Sequence, residues 1–175
     1  MLLEQILLQL QKDCPERFDS PIIFRGELRL FAKNENLIEL CRYLRDDVNL
    51  NFNFLSMITA ADYLDKRDKR FEVIYSLYSI SEHHRIMIKL KIGENEQAPS
   101  LTSLWDTANW QEREVYDMFG IKFAGHPDLR RVLMDDDWVG HPQRKDFPLT
   151  YEMPEFSHNR GQTQLRDFSP DREVF

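Results

Sequence analysis

Between Trp110 and Leu133 the chain crowds Glu112, Arg113, Glu114 and Asp117 into fewer than two helical turns, then follows them with His126, Arg130 and Arg131. Carboxylates, guanidinium groups and an imidazole at such density could move protons, hold a metal ion or pair with charges on another chain. A metal site would draw on His126, Asp135, Asp136, Asp137, His141 and His158. Their spacing does not support one, because no His-Glu-x-x-His pair sets two ligands on one helix face and three consecutive aspartates cannot all point inward. Nucleophilic catalysis lacks both a Gly-x-Ser-x-Gly elbow and a suggestively placed cysteine. No Gly-x-Gly-x-x-Gly or phosphate loop offers a seat for a nucleotide, a flavin or a nicotinamide.

These charges ride on an element that must also be half buried. Read helically, Leu104, Ala108, Val115 and Met118 share one stripe, while Glu112, Arg113, Glu114 and Asp117 take much of the remaining circumference before Gly120 ends the helix. The spacing predicts a helix over residues 103–119, with Ser100 or Thr102 as its cap. Arg113 can reach Asp117 four residues on, a pair worth about 0.2–0.5 kcal/mol. Helix physics alone therefore describes a solvated, salt-bridged face.

The rest of the chain supplies a frame for this helix. Leucines repeat amphipathically over residues 1–13, which reads as a helix and not as a signal peptide, since a basic flank and a small-residue cleavage site are missing. Arg25-Gly26-Glu27 sits between two apolar runs as a tight hairpin turn. Leu37, Leu40, Cys41 and Leu44 repeat with helical spacing, and Asn36 with Glu39 is a candidate capping box for a helix over 36–45. Residues 52–61, 71–80 and 85–92 read as strands, the last alternating Ile86, Ile88, Leu90 and Ile92 with Arg85, Met87, Lys89 and Lys91. The expected fold is α+β: a small, mainly antiparallel sheet of about four or five strands packed with helices. One sheet face should carry the helices and the other should stay wet or be covered by a partner. The charge run from Asp65 to Arg70 reads as a solvated turn, and the adjacent His83 and His84 should diverge. Residues 1–145 form one domain in this reading. Residues 146–175, rich in prolines and polar groups with spaced aromatics, form an extended docking tail.

Composition narrows the class. With 175 residues, 42% of them hydrophobic, the chain can bury one sizeable core. No apolar run approaches the ~20 residues needed to cross a bilayer. Two isolated cysteines, Cys14 and Cys41, are too few for a disulfide framework or an iron–sulfur cluster and suit a reducing compartment. A formal charge of -7 gives no support to nucleic-acid binding or to a basic membrane anchor.

The continuation of the charged helix carries more information than the helix itself. Glu112-Arg113-Glu114, Asp117-Met118-Phe119, His126, then Arg130 and Arg131 before Val132-Leu133, resemble the signature of the thirty-kilodalton subunit of respiratory complex I, a family that in bacteria comprises the C subunit of NADH:quinone oxidoreductase. The likeness extends through Ser103-Leu104-Trp105 and Ala108-Asn109-Trp110 on one side. On the other it takes in Asp136, Asp137-Trp138 and Arg144-Lys145-Asp146-Phe147. Weaker matches reach back to Leu55, Thr59, Ala60, Asp62 and the stretch from Phe71 to Leu77.

What this resemblance implies is architectural. A member of the family would sit in the peripheral arm of the complex on the cytoplasmic side of the bacterial inner membrane. It would carry no cofactor itself, leaving NADH, FMN, iron–sulfur clusters and quinone to other subunits. It would buttress the quinone-site subunit of the 49-kDa type and touch neighbouring iron–sulfur subunits. Its signature charges would then serve as interface groups, with a Glu114–Arg130 pair inside the subunit as the alternative. A ferredoxin-fed complex or a membrane-bound hydrogenase would use an equivalent subunit. The rival of a different class is a free-standing metal-dependent hydrolase built on His126 and the Asp135–Asp137 carboxylates.

Overall fold

The computed structural model describes residues 3–148. Its elements run α1 (Leu3–Asp13), β1 (Phe18–Phe24), β2 (Glu27–Ala32), a short 3-10 turn (Asn34–Asn36), α2 (Leu37–Asp46), β3 (Phe54–Asp62), β4 (Phe71–Ser79), β5 (His84–Ile92), β6 (Gln97–Pro99), α3 (Ala108–Phe119) and β7 (Lys122–Ala124). The five long strands form one sheet in the order β1-β2-β5-β4-β3, and β6 pairs with β7 in a separate two-stranded ribbon. Within the large sheet only β2 and β5 run parallel, with Leu28 opposite Ile86 and Leu30 opposite Ile88. The expected α+β class and mainly antiparallel sheet are therefore present.

Alternation decides which side of the sheet is buried. Leu28, Leu30, Val73, Tyr75, Leu77, Ile86, Ile88 and Leu90 form one fully buried face. Ile6 and Leu10 of α1, Leu37, Leu40, Cys41 and Leu44 of α2, and Ala108 and Val115 of α3 join them in a single core. Burying a side chain of this size contributes about 1.5–3 kcal/mol, so this shared face is the main source of cohesion. The turn between β1 and β2 places Arg25 and Gly26 at φ 52 and 76, the two left-handed positions of a type I′ hairpin.

Several local expectations are corrected. Asn36 does not cap α2 through its side chain; its amide instead donates to the Glu16 carbonyl, and Glu39 turns toward Arg17. The signature helix begins at Ala108, five residues later than its apolar spacing suggested, because residues 101–107 coil into turns that bury Leu101, Leu104 and Trp105. Neither Ser100 nor Thr102 caps it; Thr107 stands at the N-cap without a side-chain bond.

Candidate functional site

Most of the helix α3 face expected to be solvated is buried. Glu112 and Asp117 are both 0% exposed, and Arg113 is nearly so. The Arg113–Asp117 pair does not form. A buried charge needs specific partners, and each of these three residues finds them on another segment of the chain.

Glu112 faces back to the turn before the helix. The Ser100 hydroxyl donates to its Oε2 at 2.7 Å and the Leu101 N–H to its Oε1 at 2.7 Å. Burial pushes this carboxyl up to about 7, and the two hydrogen bonds only partly oppose the shift. Glu112 thus tethers the start of the turns to the middle of the helix, and it takes the hydroxyl expected to cap the helix.

Asp117 organises the segment that follows. Its Oδ2 receives three consecutive backbone N–H groups, from Val132 at 3.0 Å, Leu133 at 2.8 Å and Met134 at 2.9 Å. Its Oδ1 meets Arg131 Nη1 at 2.5 Å. Burial works to raise this carboxyl, but those backbone bonds and the guanidinium hold it below the usual carboxylate range. Arg131 also donates through Nη2 to the carbonyls of Trp138 and Gly140. Arg113 donates to the carbonyls of Arg130 and Arg131 and lies 4.8 Å from the centre of the Trp110 ring. The signature arginines therefore use their forked donors on the chain's own backbone.

The C-terminus of α3 is closed by the same device. Gly120 takes the left-handed position at φ 75 and donates to Tyr116. The next three carbonyls would be left without helical partners. His141 Nδ1–H reaches Asp117 O at 2.9 Å, the Gln143 N–H reaches Met118 O at 3.0 Å, and Arg144 Nε reaches Phe119 O at 2.6 Å. Burial lowers the basicity of His141, in keeping with a neutral ring that donates from one nitrogen only. His126 accepts the Asp128 N–H at Nδ1, and its Nε2 lies 3.1 Å from the Asn109 carbonyl.

A second charged cluster was not legible in the sequence. Arg70, at the end of the run expected to be a solvated turn, is buried and forked onto Asp62 at 3.1 and 2.9 Å. It also meets Glu94 at 2.8 Å and Asp146 at 2.7 Å. Arg144 shares Glu94, and the Lys145 N–H bonds Asp62. The only signal available was an acidic strand end followed by a basic strand start, the arrangement a hairpin needs to pair them. Phe147 stacks on Trp138 with ring centres 6.2 Å apart, so Asp146 and Phe147 are held by the domain. Residues 149–175 of the expected docking arm lie outside the described residues.

What stays at the surface is a smaller set. Glu114 is exposed, and among the described residues it forms no ion pair; the alternative Glu114–Arg130 pair is absent, since Arg130 turns to Asp128 with 71% of its side chain exposed. Trp110, one helical turn before Glu114, and Leu133 are 62% and 61% exposed. Asp135, Asp136 and Asp137 are exposed as well. Among the described residues no three His, Cys, Asp or Glu side chains converge as metal ligands, and the hydrolase constellation of His126 with Asp135–Asp137 is not assembled.

The family model described as the respiratory-chain NADH dehydrogenase 30 Kd subunit matches residues 30–153. The chain belongs to this family. The C subunit of NADH-quinone oxidoreductase from Roseiflexus castenholzii is 46% identical over 156 residues, spanning 89% of each chain. The protein of the same name from Citrifermentans bemidjiense is 50% identical over 139 residues, covering 77% of this chain and 84% of the relative. Among solved structures, a trypsin-resistant fragment of Nqo5 is similar with a TM-score of 0.64 and 34% identity, covering 74% of this chain and all of that one. One chain of the archaeal membrane-bound sulfane sulfur reductase shares the fold at TM-score 0.73 and 22% identity over 98% of both chains. In this chain Arg113, Asp117 and Arg131, with His141 and Arg144, weld the irregular segment after α3 onto the helix, while Glu112 ties the turns before α3 to it.

Proposed function

We propose that this chain is an architectural, non-catalytic subunit of the peripheral arm of an NADH:quinone oxidoreductase, held at the cytoplasmic face of the cell membrane through its partners. No helix among the described residues is long and apolar enough to cross a membrane. The redox groups, namely FMN, iron–sulfur clusters and quinone, belong to other subunits in this reading, and the neighbour this chain buttresses is the quinone-site subunit of the 49-kDa type. The observation that carries the proposal is the division of the signature charges. Glu112, Arg113, Asp117 and Arg131 are consumed in fixing the irregular segments on either side of α3, while Trp110, Glu114, Arg130 and Leu133 remain exposed beside them. A rigid platform bearing an aromatic ring, an apolar side chain and one charge of each sign is the composition of an interface centre, where Trp and Arg are the commonest anchors.

The test is to replace Trp110, Glu114 or Arg130 singly by alanine in the full complex. The expected result is reduced assembly and quinone reductase activity, while the purified variant chain keeps the thermal transition of the unaltered one. Loss of one partner from a desolvated interface pair costs about 2–5 kcal/mol, far above the worth of an exposed pair. Normal assembly by all three variants would remove these residues from the interface.

A further inference from the structure

The face of the large sheet turned away from the helices carries a pattern of its own. Its side chains are Phe24 and Ile22 on β1, Arg29 and Phe31 on β2, Arg85, Met87, Lys89 and Lys91 on β5, Glu72, Ile74, Ser76 and Tyr78 on β4, and Phe54 and Met57 on β3. Three of its four rings, Phe24, Phe31 and Tyr78, lie beneath a cation. Arg25 and Arg29 stand 5.2 and 4.8 Å from the Phe24 centroid, Lys91 stands 5.0 Å from that of Phe31, and Arg85 stands 6.0 Å from that of Tyr78. Phe24, Ile22, Met57 and Phe54 are each more than two-fifths exposed.

The charges on this face do not balance. Its carboxylates are already committed: Glu27 to Arg29, and the buried Glu72 to both Arg67 and Lys89. Among the described residues Arg25, Arg85 and Lys91 meet aromatic rings and no carboxylate. A chain with a formal charge of -7 therefore presents a surplus of positive charge on the face of the large sheet that no helix among the described residues covers.

We infer that this face is a second docking surface, and that its occupant is an acidic, apolar-studded surface of another protein subunit. The inference rests on the subunit reading given above. Three features favour protein over a polyanion. The cations are seated over aromatic rings, two over Phe24, two over Phe31 and one over Tyr78. Two carboxylates stand among them, which would repel phosphates. The ground between them is Ile, Met and Phe, which gains from burial against apolar side chains. Carboxylates placed over Arg25, Arg85 and Lys91 would supply register, and the rings beneath would supply the desolvated floor.

The experiment uses the full chain, tagged and expressed in its own complex, with Arg85→Glu/Lys91→Glu as the reversed variant and Lys12→Glu, on the exposed side of α1, as the control. Photo-crosslinking from position 87 then identifies what lies over the face. Recovery of assembled complex should fall by about tenfold or more in the reversed variant and stay unchanged in the control. The thermal transition of the purified reversed chain should be unaltered, and cross-links should map to acidic segments of another subunit. Wild-type assembly by the reversed variant would overturn this inference while leaving the Trp110 surface standing. Cross-links between copies of this chain, or reversal-sensitive binding to RNA or to phosphatidylserine vesicles, would overturn it as well. Failure of the unaltered chain to co-purify with any other subunit would overturn the subunit reading and this inference together.

Discussion

Asp117 and Arg131 lie fourteen residues apart in sequence and 2.5 Å apart in space, the carboxylate fully buried and the guanidinium spanning from it to the carbonyls of Trp138 and Gly140. One ion pair thus connects a helix to two separate stretches of irregular backbone. A segment with little regular structure of its own is held as firmly as an element.

Replacing Asp117 by alanine leaves three backbone N–H groups and one guanidinium without their acceptor. The expected loss is about 3–5 kcal/mol, the cost of breaking a buried pair from one side. Urea unfolding measures it, and amide exchange should show protection lost first over residues 131–134. Asp117→Asn, which keeps one acceptor oxygen, should cost less.

Glu112 makes stability depend on pH. Its folded value, about 7, lies above the ordinary 4.5, so as pH rises the unfolded chain releases this proton first. The stability it contributes is fully present below 4.5 and declines toward pH 7, by at most about 1.4 kcal/mol per pH unit. His141 works in the opposite direction: its lowered value imposes a cost that grows as pH falls through 6.5. The difference in unfolding free energy between wild type and Glu112→Gln, followed from pH 4.5 to 7.5, isolates the first effect and should slope downward. A flat difference would refute it.

Gly120 cannot accept a side chain. A Cβ there would stand 2.6 Å from the His141 ring, on a backbone at φ 75. The left-handed conformation alone costs an L-residue about 1–2 kcal/mol, and displacing His141 also frees the Asp117 carbonyl. Gly120→Ala should therefore destabilise by more than that amount in urea titration. Adding His141→Ala should give a double variant less unstable than the sum of the two.

Arg70 holds three carboxylates, and burial would raise Asp62 were it not for Arg70 and the Lys145 and Leu64 amides, which keep it below its usual value. Stability from Asp62 is present above its ordinary range near 3.8 and is lost as pH falls through the lowered folded value. Arg70→Met should cost about 3–5 kcal/mol at neutral pH. Acid titration of the two chains should show that the deficit shrinks below pH 4, where the orphaned carboxylates are protonated.

The parts of this structure legible in the sequence are those set by a local period. The alternation from Arg85 to Ile92 marked β5 and its buried face, and Arg25-Gly26 marked the first hairpin. The family was legible too, because charged residues at fixed spacing survive as a pattern even where their partners are invisible. What spacing could not reveal was the partners. Arg113 sits four residues from Asp117 yet bonds the Arg130 and Arg131 carbonyls, because the Asp117 carboxylate is already occupied by three backbone N–H groups and by Arg131. Ser100 is a good cap by type but is taken by Glu112. Arg70 looked like solvent-facing punctuation because its three acidic partners come from β3, from the loop after β5 and from the segment beyond α3.

The single parallel pairing in the sheet sets an order of assembly. β3, β4 and β5 are consecutive and antiparallel, so they can zip together as they leave the ribosome, whereas β2 must wait for Ile86 before Leu28 finds its neighbour. During that wait the finished first hairpin carries Ile22, Ile23 and Phe24 on an open edge, a run suited to wrong intermolecular pairing. Arg25 and Arg29, seated over Phe24, place two positive charges at that edge, the kind of flanking charge by which gatekeeper residues oppose aggregation.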